Sequence, residues 1–377
     1  MKVGLITYHS AYNFGSVLQA YATESVLNQL GCETVVLNYR IPFQKKFYGL
    51  LGYGEGIIKA PIKKLLMLPQ LPKRIIRKNK YENFISKMNL SKEINSPYEF
   101  NNNFKDFDLF VSGSDQIWNL HSNEFINSGK EYMDPYLLSF TNKRKVSYAS
   151  SIVNMTDDEL LSIKDKLEKF DYISCREQLA IERLNQIITK KASKVIDPTL
   201  LLTSENWGKL AQSNKIEKNY ILYYSLKGFS NIRKDLIKLS NLSEKYDMQV
   251  IALTPLAPVV PQKNVINFTD AGPVDFLTLI KNASLVVTDS YHGMLFSINF
   301  RKDFYYLKNV PGANFVRTDD VLSLLDLNSR IIKDVNLINI DNKVNYDFTD
   351  QKLPVLREES INYLKNAINP KKEPEAK

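Results

Sequence analysis

The sequence predicts an α/β protein with two Rossmann-like domains that face a cleft. The first observation is a βαβ unit at the start of the chain, with a buried strand at Val3–Tyr8, an amphipathic helix at Ser16–Leu30 and a returning strand at Thr34–Asn38. The second is that the same rhythm restarts with a strand at Tyr220–Ser225 and a helix at Ile232–Tyr246. The third is the length, because 377 residues suffice for two domains of about 150–200 residues each.

Each half of the chain is assigned to one domain. Residues 1–198 form the N-terminal domain, which carries an insertion at residues 44–82, and residues 199–345 form the C-terminal domain. A C-terminal helix is predicted within residues 346–370. Residues 371–377 are rich in Lys, Glu and Pro, so they are predicted to be disordered.

The insertion carries the net charge of the chain. The segment Lys45–Lys80 contains ten Lys or Arg residues and one acid, so its net charge equals that of the whole protein, +9. Its cations alternate with apolar residues, which is typical of a segment that lies on an anionic membrane surface. A solvated insertion that packs on its own domain is the alternative. A nucleic-acid binder would be basic along one face of a whole domain, so no nucleic-acid partner is predicted.

The other features of the sequence predict a cytoplasmic protein that attaches to the membrane surface through this insertion. The N-terminus reads as a β-strand, and no stretch approaches the roughly 18 apolar residues that span a bilayer. Cys32 and Cys175 are predicted to be buried thiols. The sequence contains no HxxxH, CxxC, GxGxxG or P-loop pattern, so neither a metal nor a cofactor is predicted.

Polar clusters follow several of the predicted strands, where open parallel sheets bind their ligands. The most informative is Asp289–Gly293, because His292 lies where the buried strand Leu285–Thr288 turns into a helix. The N–H groups at a helix N-terminus suit a phosphate or carboxylate. A buried, hydrogen-bonded histidine is the alternative. Other such clusters are His9–Ser16, Ser112–Trp118, Arg176 and Lys227-Gly228.

Five segments in order resemble the polysaccharide pyruvyl transferase family: Asn13–Gln19, Phe107–Trp118, Ile173–Glu177, Val195–Thr199 and Leu285–Ser297. The resemblance implies a GT-B-like fold. It also implies a reaction in which phosphoenolpyruvate gives its enolpyruvyl group to two hydroxyls of one sugar, which forms a cyclic ketal and releases phosphate. The acceptor would be a surface polysaccharide or its polyprenyl-linked precursor. This chemistry needs a general acid, cations for the donor and a base for the attacking hydroxyl.

The resemblance implies roles for residues on the donor side. His292 matches the family's essential histidine and is expected to act as the general acid. Arg176 matches the family's arginine associated with phosphoenolpyruvate, and its planar fork can bind carboxylate or phosphate through two hydrogen bonds. A surface arginine at a helix start, where the helix dipole disfavours it, is the alternative. Together with these two, the predicted donor residues are Ser290, Tyr291, Gly293 and Lys227.

One position departs from the family. Well-studied members carry an arginine two residues before the histidine, and this chain has Ser290 there. Lys227, at the end of a strand of the second half, is a candidate to supply the missing cation. A solvated loop lysine is the alternative.

The predicted acceptor side belongs to the first domain. Asp115 is expected to accept the proton of the attacking hydroxyl, and helix capping is its alternative role. Tyr12, Trp118 and Tyr291 are candidates to stack on sugar faces, unless they simply pack. The remaining acceptor residues are Asn13, Gly15, Ser112, Gly113, Ser114 and Gln116.

Two other functions remain open. A GT-B glycosyltransferase would share the architecture but bind a nucleotide sugar, and no acidic residue is clearly placed to hold a ribose after the strand Gln249–Thr254. A non-catalytic relative would keep the fold and lose the chemistry, and Ser290 is the observation that motivates it.

Overall fold

A computed structural model describes residues 1–50, 68–100, 104–152, 154–213, 216–255, 259–308 and 315–369. Residues 51–67 of the predicted insertion and the predicted disordered tail 371–377 lie outside the described residues. The chain forms two compact units. The first comprises Met1–Lys64, Ile85–Leu201 and Leu353–Lys377, and the second comprises Leu65–Phe84 and Leu202–Lys352.

The strands are short, and most are formed by apolar runs that are buried on both faces, as expected for parallel sheets. They are β1 (Lys2–Ile6), β2 (Glu33–Val36), β3 (Leu109–Ser112), β4 (Arg144–Ser147), β5 (Ser174–Cys175), β6 (Ser193–Lys194), β7 (Tyr220–Tyr224), β8 (Gln249–Leu253), β9 (Val265–Asn267), β10 (Leu285–Thr288), β11 (Phe304–Leu307) and β12 (Ile331–Ile332).

The helices alternate with these strands. They are α1 (Phe14–Gln29), α2 (Pro42–Phe47), α3 (Leu71–Ile85), α4 (Asn123–Ser128), α5 (Asp157–Ser162), α6 (Lys164–Leu167), α7 (Gln178–Ile187), α8 (Pro198–Leu201), α9 (Ser204–Leu210), α10 (Phe229–Lys245), α11 (Pro273–Asn282), α12 (Tyr291–Asn299), α13 (Val316–Leu324) and α14 (Asp347–Ile368). Short 3-10 helices occur at Leu68–Gln70, Pro97–Phe100, Lys130–Leu137, Asn328–Arg330 and Val335–Leu337. None of the helices in the described ranges has the length and apolar character that a membrane span requires.

The first unit is built on a parallel sheet with strand order β2-β1-β3-β4. Val3 of β1 lies opposite Thr34 on one side and Leu109 on the other. Isolated bridges such as Ser150 to Cys175 continue this sheet toward the β5–β6 pair. Because the chain passes to opposite sides of β1, the strand order reverses between β1 and β3. Ligands of doubly wound sheets bind at such a reversal, beyond the carboxyl ends of the strands.

The second unit contains a parallel sheet with strand order β12-β11-β10-β7-β8-β9. Ile221 of β7 pairs with Val250 of β8 on one side and Leu285 of β10 on the other. The order reverses here between β7 and β10. The turn that follows β10, which begins at Asp289, therefore lies at the expected ligand-binding edge of this sheet.

Each unit has a hydrophobic core of its own. Phe110, Trp118 and Phe170 belong to the core of the first unit, and Tyr223 and Val287 belong to that of the second. Both cysteines are free and buried, as predicted. Parallel sheets covered by helices in two units confirm the predicted α/β class.

One segment groups differently from the sequence-based assignment, and most of the C-terminal helix, which was predicted as a segment of its own, groups with the first unit. The segment Leu65–Phe84, which includes the end of the predicted insertion 44–82, joins the second unit. There Arg77 Nη1 donates to the carbonyl of Pro255 at 3.1 Å, and Lys80 Nζ lies 2.9 Å from Asp275 Oδ2. From Leu353 onward the C-terminal helix α14 belongs to the first unit, where the hydroxyl of Tyr363 donates to the carbonyl of Ser147 at 2.8 Å.

Candidate active site

The turn after β10 is a capped helix start. The Ser290 hydroxyl accepts a hydrogen bond from the Gly293 N–H at 3.3 Å, and the Ser290 N–H donates to Thr288 Oγ1 at 3.0 Å. A Cβ atom at Gly293 would lie 2.5 Å from Thr288 Oγ1 and 2.8 Å from Tyr224 Cδ1. Only glycine therefore lets α12 pack this closely on the strand end, and the packing fixes the first helical residues.

His292 occupies the first turn of α12. It is buried, with 8% of its surface exposed, and its ring lies 5.3 Å from that of Tyr291 in an edge-to-face arrangement. The N–H groups of the first helical turn carry partial positive charge and attract anions. The imidazole therefore lies in a helix start that suits an anionic ligand, at the strand-order reversal of the second sheet.

A buried ionic network supports this turn. The Asp289 carboxylate accepts hydrogen bonds from the Ser225 hydroxyl and, at 2.8 Å, from the Leu226 N–H. Burial raises the pKa of this carboxyl. Lys227 Nζ lies 3.8 Å from Asp289 Oδ2 and 3.2 Å from Asp235 Oδ2. Only 1% of the Lys227 side chain is exposed, so its ammonium balances the charge of two buried carboxylates. The predicted role of Lys227 in binding the donor did not take these two partners into account.

Arg317 is a neighbour of the turn that the sequence reasoning missed. Its guanidinium carbon lies 5.0 Å from the ring centroid of Tyr291. The residue belongs to the first turn of α13, where the helix dipole disfavours a cation. An arginine at this unfavourable position is the signal in the sequence that could have identified Arg317, once the start of α13 was known.

The loop after β3 holds Asp115 at the corresponding edge of the first sheet. Gly113 has a φ of 126°, and a Cβ atom there would lie 2.1 Å from the carbonyl oxygen of Tyr148, so glycine is required. The Ser114 N–H donates to Gln19 Oε1 at 3.1 Å. Asp115 follows with a left-handed φ of 78°. The loop is thus held on both sides, and it presents Asp115 beyond the strand end.

Arg176 lies at the centre of a buried ionic cluster in the first unit. Its Nη2 lies 3.1 Å from Asp115 Oδ1, its Nε lies 3.2 Å from Glu177 Oε1, and its Nη1 donates to Asp197. The Arg176 side chain is 1% exposed, whereas that of Asp115 is 14% exposed. Three carboxylates around one guanidinium leave an excess of negative charge. Arg176 thus balances the charge of acids in its own unit, and its role in binding the donor stays a prediction. Asp115 is the most exposed member of the cluster.

Several predicted acceptor residues meet around Asp115. Asn13 caps α1, since its Oδ1 accepts from the N–H of Gly15 at 2.9 Å and from that of Ser16 at 3.3 Å. The Ser16 hydroxyl in turn donates to Asp115 Oδ2 at 3.1 Å. The Ser114 hydroxyl accepts from Arg176 Nη1 at 3.3 Å, which joins this residue to the same cluster.

Other predicted residues have local partners instead. The Ser112 hydroxyl donates to the carbonyl of Tyr136, and Gln116 Oε1 accepts from Asn119 Nδ2 at 3.2 Å. Trp118 is completely buried and donates to the same Tyr136 carbonyl at 3.0 Å, so the suggestion that it stacks on a sugar was wrong. Within the ranges that the structure covers, no three His, Cys, Asp or Glu side chains are grouped to hold a metal ion.

The family of the chain follows from a direct comparison. Residues 13–309 match the family model described as polysaccharide pyruvyl transferase. The chain belongs to the polysaccharide pyruvyl transferase family. As a member it is a transferase of polysaccharide pyruvylation with a saccharide acceptor. His292, Arg176 and Asp115 all fall inside the matched range, and Arg317 lies beyond it. A comparison with curated proteins gives no significant match.

Solved structures similar to this pyruvyl transferase family member show its fold. S. aureus MnaA, in a co-structure with UDP, is 12% identical over 99% of this chain and 98% of its own, with a TM-score of 0.53. A UDP-N-acetylglucosamine 2-epimerase from Rickettsia bellii is 10% identical over 98% of this chain and 95% of its own, with a TM-score of 0.50. These similarities confirm the predicted GT-B-like fold.

Proposed function

We propose that the protein transfers the enolpyruvyl group of phosphoenolpyruvate to two hydroxyls of one sugar, in a surface polysaccharide or its polyprenyl-linked precursor. The product is a cyclic pyruvate ketal, and phosphate is released. The observation that carries the proposal is the position of His292 in the first turn of α12, at the strand-order reversal of the second sheet. A helix start suits the phosphate and carboxylate of the donor, and the imidazole supplies an acid beside them.

The proposed steps balance in atoms and charge. His292 donates a proton to the methylene carbon of the donor, which makes C2 electrophilic. The first sugar hydroxyl attacks C2 and gives its proton to Asp115. The bond from C2 to the phosphate oxygen then breaks, and the second hydroxyl closes the ring. One of the two hydroxyl protons replaces the proton that His292 gave, and the other leaves with phosphate.

A mass measurement tests this function. Purified protein is incubated with phosphoenolpyruvate and a galactose- or mannose-type lipid-linked acceptor. We expect the acceptor to gain about 70 Da, the mass of the pyruvyl group in the ketal, with release of one phosphate for each product molecule. Phosphate release no faster than in the no-enzyme control, with an unchanged acceptor mass, would contradict the proposal.

Arg317 is proposed to bind the anionic donor next to His292. Ser290 supplies no charge, and the ammonium of Lys227 contacts two carboxylates. The contact between Arg317 and Tyr291, the residue before His292, brings a guanidinium to this turn instead.

We expect Arg317→Ala to raise the KM for phosphoenolpyruvate about 10- to 100-fold, because a hydrogen bond to a charged group contributes about 1.5–3 kcal/mol. Initial rates of phosphate release at varied donor concentration measure this effect. Arg233→Ala is the matched control, since Arg233 is an exposed arginine of the same unit. A KM for Arg317→Ala equal to that of the control would exclude the role.

The described part of the basic segment is proposed to lie on an anionic membrane, where lipid-linked acceptors are found. Leu68, Ile75 and Ile76 are exposed apolar residues, and the exposed Lys73 and Lys78 flank the two isoleucines. Other cations of the segment point inward, as the contacts of Arg77 and Lys80 show. The exposed combination of apolar and cationic side chains is the one that anionic lipid surfaces attract.

Lys73→Gln combined with Lys78→Gln is expected to weaken binding to vesicles of phosphatidylglycerol and phosphatidylcholine about 30-fold, since each lysine near such a surface contributes about 1 kcal/mol. Co-sedimentation measures the bound fraction. Lys209→Gln combined with Lys263→Gln, which removes two exposed lysines elsewhere in the second unit, is the control. Equal binding of the wild type to neutral and anionic vesicles would rule out this surface.

A further inference from the structure

The helix that carries Arg317 is weakly stabilised by its own sequence. α13 is nine residues long, and helices of this length are marginal in isolation. Its N-cap residue, Phe315, has no side chain that can accept a hydrogen bond from the helix start. An arginine in the first turn is unfavourable as well. Contacts with neighbouring elements therefore have to fix the place where α13 begins.

An ion pair connects the first turn of α13 to the end of β11. Lys308 directly follows β11, and its Nζ donates to Asp319 Oδ2 at 2.7 Å and to Asp319 Oδ1 at 2.9 Å. The same ammonium lies 5.1 Å from the ring centroid of Phe315, a distance at which a cation and an aromatic ring attract each other. Lys308 thus contacts both the residue before α13 and the fourth residue of this helix.

Tyr306 of β11 connects the turn after β10 with the start of α13. It is buried and lies opposite Thr288, the last residue of β10. Its hydroxyl donates to the carbonyl of Asp289 at 3.1 Å. Its ring meets that of Phe315 edge to face, with centroids 6.4 Å apart and planes inclined by 86°. The end of β11 therefore contacts both the capped turn and the residue from which α13 begins.

These contacts lie on both sides of Arg317. Phe315 and Asp319, the two residues that Lys308 contacts, lie two positions before and two positions after the arginine. The guanidinium carbon of Arg317 lies 5.0 Å from the ring centroid of Tyr291. We propose that Lys308 and Asp319 are positioning residues, which hold this guanidinium where the phosphate or carboxylate of the donor binds. The inference rests on the proposed role of Arg317 in binding the donor.

A substitution at Asp319 separates positioning from a simple effect of charge. If this carboxylate acted only through its charge, Asp319→Asn would remove a repulsion and lower the KM for phosphoenolpyruvate. If the carboxylate positions Arg317, the same substitution loosens α13 and raises that KM. We expect a rise of about threefold to tenfold, smaller than for Arg317→Ala because the guanidinium stays in the protein. The turnover number should stay close to that of the wild type, because the proposed acid is unchanged.

Two further variants complete this test. Arg317→Ala combined with Asp319→Asn should have the KM of Arg317→Ala alone, since a residue that acts through the guanidinium has no effect once the guanidinium is gone. Asp334→Asn is the matched control, because Lys238 Nζ lies 2.7 Å and 2.9 Å from the two carboxylate oxygens of Asp334. That pair is 33% and 46% exposed, and the Lys308 pair is 31% and 42% exposed. The control should keep the wild-type KM.

Hydrogen exchange of the full-length protein, measured by mass spectrometry, tests the same contact without a reaction. The amides of α13 should exchange faster in Asp319→Asn than in the wild type and in Asp334→Asn. Equal exchange in all three proteins overturns the inference, and so does a KM of Asp319→Asn equal to or below that of the wild type. If the wild type does not convert phosphoenolpyruvate, the proposed function fails, and the exchange rates still decide whether Asp319 holds α13.

Discussion

His292→Ala is expected to lower the turnover number with phosphoenolpyruvate by roughly 10²- to 10⁴-fold, the range that a positioned general acid contributes. Protonation of the methylene carbon opens the reaction, and the imidazole is the group proposed to supply that proton. The turn should keep its shape in the variant, because the Ser290 cap and the hydrogen bonds to Asp289 do not involve the imidazole. Phosphate release under saturating donor and acceptor gives the turnover number.

His121→Ala is the matched control for this variant. His121 is an exposed histidine whose Nε2 lies 3.1 Å from Glu159 Oε2 at the surface of the first unit. It should retain wild-type turnover. If His292→Ala turns over as fast as His121→Ala, with unchanged thermal unfolding in both, the imidazole of His292 is not the acid.

Arg176→Ala is expected to destabilise the first unit by about 3–5 kcal/mol, the usual cost of removing one partner from a buried ionic group. The substitution leaves Asp115, Glu177 and Asp197 without their shared guanidinium, and the latter two side chains are almost fully buried. Arg176→Lys keeps the charge but cannot reach three carboxylates at once, so its loss of stability should be smaller. Denaturant unfolding followed by circular dichroism measures both variants.

Arg183→Ala provides the comparison, because Arg183 pairs with the exposed Asp157 in the same unit. Surface ion pairs of this kind contribute about 0–1 kcal/mol. A different result would support the role that family resemblance implies for Arg176. If Arg176→Ala unfolds at the same denaturant concentration as the wild type and only its KM for phosphoenolpyruvate rises, the guanidinium binds the donor.

The sequence predicted those parts of the fold that depend on local patterns. The apolar run Leu285–Thr288, followed by polar turn residues, predicted a buried strand, and the structure places β10 there. The helix start at Ser290 was predictable for the same reason, since a serine cap after a buried strand is a local signal. The strand-order reversal then brings Asp289–Gly293 to the expected edge.

The ionic partners of the site could not be predicted in this way. Arg176 finds Asp115 and Asp197 far away in the chain, and Lys227 finds Asp289. No periodic pattern connects such residues, because a charge pair depends on where two separate loops meet. The structure pairs both cations with acids of their own units, and their predicted roles in binding the donor stay predictions.

The grouping of Leu65–Phe84 with the second unit could not be predicted either, because it also involves contacts between residues far apart in the chain. Its composition predicted a separate insertion of the first domain, whereas the contacts of Lys80 with Asp270 and Asp275 are long-range. Arg317 was missed because its unfavourable place in the first turn of α13 could be recognised only once the start of that helix was known. Its contact with Tyr291 depends on how α13 packs beside α12.

The solvent-isotope content of the product tests the central claim most directly. When the reaction is run in D₂O, protonation of the methylene carbon by His292 should give a ketal whose methyl group carries a single deuterium, with equimolar phosphate, and His292→Ala should form almost none of it. Proton NMR of the isolated saccharide reads this methyl signal. Vinyl protons in the product would instead show transfer without protonation, and a methyl group free of deuterium would show that the added proton does not come from an exchangeable acid. Either result would contradict the account.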